Sequence, residues 1–486
     1  MSLADRIAST QEDFLDAMEQ RGFSRDGTVM LGRIPTANGS QKIRLALGEH
    51  WPFAPPAVTP EPVDAPDQAS WHRDIGGDLC LYTEEDRSGL PWLNPDDLVT
   101  KVSEWFDRNA AGWSNDAPDL DLDRYFPSAQ PSVTLLYDAL DPLVGRFIRL
   151  RPTRNSTLTM AGLGTAPAGP SRRHVFGYCA DLGAPVTPPR DWSQLAYLLP
   201  DAPRVERAIK ARRVSVLLLR YDRDGHEGVL ALDAAPQADG GIRLLSQPSA
   251  SASAAVAHLR AGSARTALAK RSVALVGCGA VGSFLADQLV RAGLGRLTLL
   301  DDDVLRPGNL VRHLAAADHV GLTKARAVRQ IIGGKGSPVE ITHRKGMLRT
   351  TQDADELISE HDLVIDATAD GSASALLRYA AEERGAHILS VCIQNDGTTL
   401  RVDIVPPLAG ASPLPESPRR PNLTPAYEGG CGSPVSPTPP HAVSETAAMA
   451  ARHACALLTG HPVHPSGELR DLPIPALPAG SSGNVS

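Results

Sequence analysis

Residues 271–301 read RSVALVGCGAVGSFLADQLVRAGLGRLTLLD, and this stretch decides the fold class. The run SVALV at 272–276 is short and wholly apolar, as in a strand buried on both faces. It runs straight into Gly277-Cys278-Gly279-Ala280-Val281-Gly282, and a helical pattern follows at once. A GxGxxG in that position permits a tight turn and lets backbone N–H groups approach a phosphate at the positive end of the helix. The pattern then alternates: strand RLTLLDDD at 296–303, helix LTKARAVRQII at 322–332, strand DLVIDAT at 362–368. Such alternation specifies a parallel sheet wrapped by helices, so an α/β nucleotide-binding core is expected from residue 271 onward.

The glycines alone distinguish neither NAD from ATP nor one nucleotide enzyme from another. Asp301 ends the second strand 24 residues past Gly277 and suits a ribose hydroxyl in either case. Downstream, Asn309, Arg312 and Lys324 supply an amide and two fixed cations, which a triphosphate needs and a nicotinamide ring does not. Taken together, Gly277 to Gly282, Asp301, Asp303, Asn309-Leu310, Arg312, Gly321, Lys324 and Asp366-Ala-Thr-Ala-Asp370 resemble the ThiF/MoeB-type adenylyltransferases and the adenylation domains of ubiquitin-activating enzymes. The resemblance covers about residues 265 to 460. It implies a Rossmann-like fold with ATP and Mg²⁺ as cofactors and adenylation of a protein's C-terminal glycine. By position, Gly277, Gly279, Gly282, Asp301 and Asp303 would hold the nucleotide, with Asp301 on its ribose. Asn309, Arg312 and Lys324 would meet the phosphates, and Asp370 the Mg²⁺, with Asp366 the weaker candidate. Arg312 and Asp370 are thereby catalytic candidates. Related domains work in pairs, which implies a homodimer through this domain and an arginine supplied from near its start, Arg260 or Arg265. Cys431, in the Gly/Pro loop YEGGCGSPVSPTPPH, stands where such activating enzymes place their acceptor cysteine.

The other end of the chain carries a second pattern. Leu3, Ile7, Phe14 and Met18 fall at helical spacing, and GTVMLGRIPT and KIRLALGE read as strands around a polar turn. Pro52, Pro55 and Pro56 stiffen HWPFAPPAV, an irregular stretch runs to Trp92, and PDDLVTKVSEWFDRNAAGW reads as a helix with Pro95 in its first turn. WPFAPPAV, His72, Gly76-Gly77-Asp78-Leu79-Cys80-Leu81, Trp92-Leu-Asn-Pro95 and a helix, in that order, resemble a ubiquitin-conjugating enzyme over residues 1–126. That likeness implies an α+β domain with Cys80 as its transthiolation cysteine. Its usual His-Pro-Asn triplet is replaced by His72-Arg73-Asp74; His72 then braces the loop, and Asn94 is the candidate to replace the missing oxyanion-supporting asparagine.

Residues 127–264 form an expected α/β linker domain, in which VSVLLLRY and EGVLALDA read as a hairpin and no chemistry is legible. Residues 265–474 are expected to form the ThiF-like adenylation domain, and 475–486 a disordered tail. Eleven prolines in residues 406–440 make that stretch extended and loop-like, up to the Ala-rich helix that follows. Six cysteines, at 80, 179, 278, 392, 431 and 455, include no CxxC pair and so build neither a disulfide framework nor a zinc knuckle. With 48 basic and 56 acidic side chains the net charge is −8, which disfavours nucleic acid as main partner. No run is long and apolar enough for a membrane span, and the acidic start is unlike a signal peptide, so a cytoplasmic protein is expected.

A conjugating-like head joined to an activating-like body resembles the bacterial fused ubiquitin-transfer proteins of antiphage systems such as CBASS. The expected activity is ATP-dependent adenylation of a ubiquitin-like or similar protein at its C-terminal glycine, loading of Cys431, relay to Cys80 and transfer to a target amine. The competing expectation is a biosynthetic sulfur-carrier adenylyltransferase whose N-terminal domain only docks.

Overall fold

The computed structural model describes residues 2–61, 70–83, 85–113, 119–164, 174–335, 338–344, 346, 348–418, 426–427 and 434–473. The tail expected at 475–486 lies outside the described residues. The chain folds as two compact units, Met1–Ser253 and Ala254–Ser486.

The first unit opens with helix α1 (Leu3–Glu19), which starts at a reciprocal cap: Ser2 Oγ accepts from the Asp5 amide and the Asp5 carboxylate accepts from the Ser2 amide. Strands β1 (Ser24–Asp26), β2 (Val29–Thr36), β3 (Gly39–Ala46) and β4 (Ala57–Glu61) make an antiparallel meander in that order. Helix α2 (Pro95–Ala111) has Pro95 at its start, where no intrahelical N–H bond is lost, and Asp96 and Asp97 in its first turn. Phe14, Leu15 and Met18 of α1, Ile34, Ile43 and Val58 of the sheet, and Leu98, Val102 and Trp105 of α2 share one core. Leu79 and Leu81 join it from either side of Cys80, and those two buried anchors fix the cysteine's place.

A second, eight-stranded sheet comprises β5 (Thr134–Tyr137), β6 (Arg146–Pro152), β7 (Thr157–Gly164), β8 (Val175–Asp181), β9 (Val216–Arg223), β10 (His226–Pro236), β11 (Ile242–Gln247) and β12 (Ser249–Ser251). Its spatial order is β11-β10-β9-β8-β6-β7-β5-β12. The expected hairpin is β9–β10, closed by Asp224-Gly225 with φ of 53° and 80°, the left-handed pair a two-residue turn needs. Helices α3 (Trp192–Leu198) and α4 (Ala202–Lys210) bury Leu195, Val205 and Ile209 against this sheet, and Leu122, Tyr125 and Phe126 enter the same core. Residues that the sequence assigns to the end of the head thus pack with the sheet that follows it.

The second unit begins with the short helices α5 (Ala254–Leu259) and α6 (Arg265–Leu268). Its sheet holds β13 (Ser272–Val276), β14 (Arg296–Leu300), β15 (Glu340–Arg344), β16 (Leu363–Asp366), β17 (Ile388–Gln394) and β18 (Thr399–Val405). A two-stranded pair, β19 (Ala426–Tyr427) and β20 (Pro434–Val435), stands apart, and β21 (Gly467–Asp471) completes the order β15-β14-β13-β16-β17-β18-β21. The first five in that order run parallel, and β18 and β21 follow, each antiparallel to the strand before it in that order. Helices α7 (Ala280–Arg291), α8 (Lys324–Gly333) and α11 (Pro440–Leu458) cover one face, and α9 (Thr351–Glu360) and α10 (Gly371–Arg384) the other. The strands and helices expected from residue 271 onward are present, so the second unit is a Rossmann-like α/β fold.

Strand order reverses at β13, which has β14 on one side and β16 on the other, and open α/β sheets bind ligands at the carboxyl ends of strands beside such a reversal. Two glycines make that crevice possible. Gly277 has φ +91° and lies so near the chain after β16 that a Cβ would sit 2.7 Å from the Ala367 carbonyl; a Cβ on Gly282 would lie 2.0 Å from the Gly277 oxygen. At Gly279 a Cβ meets open space. We predict that Gly282→Ala lowers stability by about 1–3 kcal/mol, as overpacking against rigid backbone does, while Gly279→Ala stays within about 0.5 kcal/mol of the parent. Denaturant titration of the two variants side by side checks this, and equal stabilities would refute it.

Candidate functional sites

In the second unit the glycine loop is held through its backbone. Asp301, only 8% exposed, accepts from the Cys278 amide at 2.7 Å through one oxygen and from the Asp303 amide at 2.9 Å through the other. Burial pushes its carboxyl above the usual range, while the Cys278 amide and the Lys324 ammonium oppose that shift. Lys324, first residue of α8, donates its backbone N–H to the Asp303 carbonyl and pairs its Nζ with the Asp303 carboxylate at 2.8 Å. The expected ribose acid and phosphate lysine therefore meet in one network, with Asp303 as the bridge.

Asn309 is half-buried, and its Oδ1 accepts from the Arg306 amide at 3.0 Å, closing the turn that starts the short helix Pro307–Arg312. Arg312 Nη1 donates to the Ser436 carbonyl at 2.6 Å, so the guanidinium grips the segment that follows Cys431. Cys431 itself lies outside the described residues. The two acids after β16 have different fates. Asp366 is 2% exposed and fully engaged: one oxygen takes the Thr368 amide and hydroxyl, the other the Ser374 hydroxyl. Asp370 is exposed at the start of α10, where Oδ1 caps the Ser372 and Ala373 amides.

No group of three or more His, Cys, Asp or Glu side chains able to hold a metal occurs among the described residues. An exposed carboxylate fits a Mg²⁺ that shares its shell with phosphate oxygens and water, which is how that ion is usually bound; buried Asp366 does not fit. The other cysteines are poor nucleophile candidates. Cys278 is fully buried, and burial drives the thiols of Cys179 and Cys392 up to about 12 and about 11.

His313 is a residue the sequence reading passed over. It is buried, its Nε2 faces the Cys278 carbonyl at 2.9 Å, and its Nδ1 accepts from the Ala315 amide at 3.0 Å. That pair of partners requires the neutral ring with its proton on Nε2. A lone histidine in LVRHLA carries no pattern that marks it in advance.

In the first unit, Cys80 is half-buried on the loop between β4 and α2. Its N–H donates to the His72 carbonyl at 2.8 Å, and Leu79 is anchored to the Val58 carbonyl of β4 at the same distance. His72-Arg73-Asp74 does structural work. The His72 ring stacks on Trp113 with centroids 3.7 Å apart, Arg73 is buried with two bonds to the Gly77 carbonyl, and Asp74 Oδ1 takes the Asp78 amide at 2.9 Å. Asn94 has a local task as well: its Oδ1 caps α2 by accepting from the Asp96 amide at 3.0 Å.

Burial raises the Cys80 thiol above its ordinary value; Arg124 opposes this, and Asp74, Asp121 and Asp119 add to it. Arg124 and Tyr125 come from the short helix Leu122–Tyr125 and both bond the Trp71 carbonyl. Neither was visible in the sequence, because both lie more than 40 residues beyond the cysteine and only the fold returns them to it.

Comparison with known proteins follows the division into units. Residues 252–474 match the ThiF family model. The second unit thus carries a ThiF-type domain, the class that its strand order and phosphate loop define. Among relatives, the ATP-dependent ubiquitin transferase-like protein Cap2 of Vibrio cholerae is 34% identical over 137 residues, 27% of this chain and 23% of that protein. The adenylyltransferase and sulfurtransferase MOCS3 of Anopheles gambiae is 37% identical over 114 residues, 23% of this chain and 26% of that protein. The matched stretches span about a quarter of the length of these curated relatives. A solved structure, E. coli MccB with succinimide, is 16% identical with a TM-score of 0.34, covering 42% of this chain and 60% of that one. No helix among the described residues is long and apolar enough to cross a membrane.

The His313 bonds generate a pH dependence. Burial, the largest influence, lowers its pKa below the ordinary histidine value of about 6.5. The unfolded chain therefore takes up the proton first: this contribution to stability is intact above about pH 6.5 and is lost as pH falls through and below it. His313→Gln keeps a donor for the Cys278 carbonyl but does not titrate. Its melting temperature should fall less steeply than the parent's between about pH 7 and pH 5. Parallel acid limbs for the two proteins would contradict the assignment.

Proposed function

We propose that this chain is an ATP-dependent activating and conjugating fusion that adenylates the C-terminal glycine of a ubiquitin-like or similar protein and passes it, as a thioester, toward an amine on a target protein. The observation that carries the reading is the convergence of Gly277 to Gly282, Asp301, Asp303 and Lys324 at the strand-order reversal of a ThiF-type domain. The resemblance to Cap2 supports ubiquitin-like activation, and the half-buried Cys80 on its anchored loop supports the conjugating half.

In this reading ATP lies along the glycine loop, with its ribose at Asp301 and its phosphates reached by Lys324, Asn309 and Arg312. The substrate carboxylate attacks the α-phosphorus, forming an acyl-adenylate and expelling pyrophosphate. Positioning and charge neutralisation do most of such work. Mg²⁺, held between Asp370 and the phosphates, would supply the remaining positive charge. The Cys431 thiolate then attacks the acyl carbon and AMP leaves. Transthiolation moves the acyl group to Cys80, and the target amine releases that sulfur as it forms the amide. Pairing of two ThiF-type domains, a cytoplasmic location and service in a CBASS-like antiphage system belong to the same proposal.

A second reading is favoured by the likeness to MOCS3: adenylation for sulfur-carrier chemistry, with the head as a docking module. The two part at Cys80. Incubated with ATP, Mg²⁺ and the carrier protein, the parent should form a thiol-sensitive adduct on the head. Cys80→Ala should lose that adduct and the amide product while retaining pyrophosphate release; Cys431→Ala should retain adenylate formation and lose every downstream thioester. Asp370→Ala and Arg312→Ala should each slow pyrophosphate release by at least about a hundredfold, the scale for loss of one charge-stabilising group. Full product formation by Cys80→Ala favours the sulfur-carrier reading.

A further inference from the structure

The conjugating reading leaves a chemical gap at Cys80. When an amine attacks a thioester, the C–N bond forms, the C–S bond breaks, the amine proton goes to solvent and the electron pair leaves on sulfur. That sulfur must bear negative charge, yet Asp74, Asp119 and Asp121 all act against charge there. The His72-Arg73-Asp74 loop is occupied in holding its own turn, and Asn94 caps α2. We propose that Arg124 is the positioning residue that stabilises negative charge on the Cys80 sulfur, fixed for that purpose on the carbonyl ledge that also holds the Cys80 backbone.

The geometry of that ledge is specific. Nη2 of Arg124 bonds the Trp71 carbonyl and, at 2.9 Å, the Tyr125 hydroxyl; the Tyr125 hydroxyl in turn donates to the Trp71 carbonyl. The next carbonyl along the chain, that of His72, receives the Cys80 amide. Guanidinium and cysteine are thus anchored on the carbonyls of two consecutive residues of one turn. Trp71 cannot swing away with its carbonyl. Its indole N–H is bonded to the Val186 carbonyl at 3.2 Å, its ring stacks on Tyr221, and Arg223 lies 4.4 Å above it. Arg124 is held from behind as well, by Asp121 at 2.9 Å and Asp119 at 3.8 Å. Its Nε is buried without a hydrogen-bond partner, so one donor of the fork is unspent.

Among the described residues, the charged groups that act most on the sulfur are Arg124, Asp74, Asp119 and Asp121, and Tyr125 interacts with the same set. Arg124 is the sole cation in that set and works against the three carboxylates and burial. Removing it should raise the thiol pKa, and removing Asp121 should lower it. This inference rests on Cys80 as the acyl-carrying cysteine, but it can be tested without any carrier.

The experiment is site-resolved alkylation of the full-length native protein with iodoacetamide between pH 6 and 10. Modified Cys80 is counted in the tryptic peptide that runs from Asp74 to Arg87, which contains no other cysteine. Arg124→Met should displace the rising limb of the profile upward by about one pH unit, making alkylation at pH 8 about tenfold slower. Arg124→Lys should recover at least half of that shift, because it restores charge without the fork. Asp121→Asn should move the midpoint down, and it decides the matter if Arg124→Met fails to fold. An unmoved midpoint in Arg124→Met, or Asp121→Asn shifting upward or not at all, overturns the proposal. A normal set of shifts in a protein that never loads Cys80 with an acyl group would sink the conjugating reading and leave the role of Arg124 standing.

Discussion

A carboxylate taken almost wholly out of water has to find donors, and Asp301 finds them in the backbone on either side of the crevice at the strand-order reversal. One oxygen holds the Cys278 amide inside the glycine loop, and the other holds the start of the segment that leads to Asn309, Arg312 and Lys324. The Cys278 main chain is gripped a second time by His313 on its carbonyl. The glycine loop is therefore fixed at both backbone polar groups of one residue. The sulfur of Cys278 takes no part: it is buried filler, and the residue matters through its main chain. Deleting a buried acceptor of this kind leaves its donors unsatisfied, at about 1–3 kcal/mol each, which is why the site cannot loosen one member at a time.

What could be read from sequence was whatever depends on near neighbours. The strand before Gly277, the turn glycines, the helix after them and Asp301 at the next strand's end all fall within 30 residues, and their order specifies both fold and crevice. The Asp224-Gly225 hairpin and the Pro95 helix start were legible for the same reason. Pairings across long separations were not. In the eight-stranded sheet, β5 pairs in parallel with both β7 and β12, and no local signal in VTLLY or SAS announces either partner. Arg312 meets a carbonyl 124 residues away, and Trp71 meets Tyr125 and Val186 only because the head loop returns to the second sheet.

Some polar side chains also carry structural tasks that their place in the sequence motifs did not announce. Asp370 stands where a metal-binding acid is expected, and in the fold its first task is to cap α10 with one oxygen. Asn94 stands near the cysteine motif, and its oxygen caps α2. Both cases follow one rule. An Asp or Asn just before a helix has free amides within reach, and satisfying them comes before any longer-range work. Both capping bonds of Asp370 use the same oxygen, on a side chain that is exposed.

On the proposed reading, the two chemical centres solve opposite problems. The adenylation crevice must accept a highly charged anion, so it is lined with backbone amides and fixed cations. The thiol must keep an acyl group from water until an amine arrives, so low charge stabilisation at sulfur is an advantage for most of its cycle. A thiol raised by burial and by Asp74, Asp119 and Asp121 is a reluctant leaving group, and its thioester is correspondingly slow to break down. Those same groups would also block productive release if nothing offset them. Arg124 is placed to supply that offset: it is bonded to the Trp71 carbonyl and partly neutralised by Asp121, so the charge at the sulfur is balanced between holding the acyl group and letting it go.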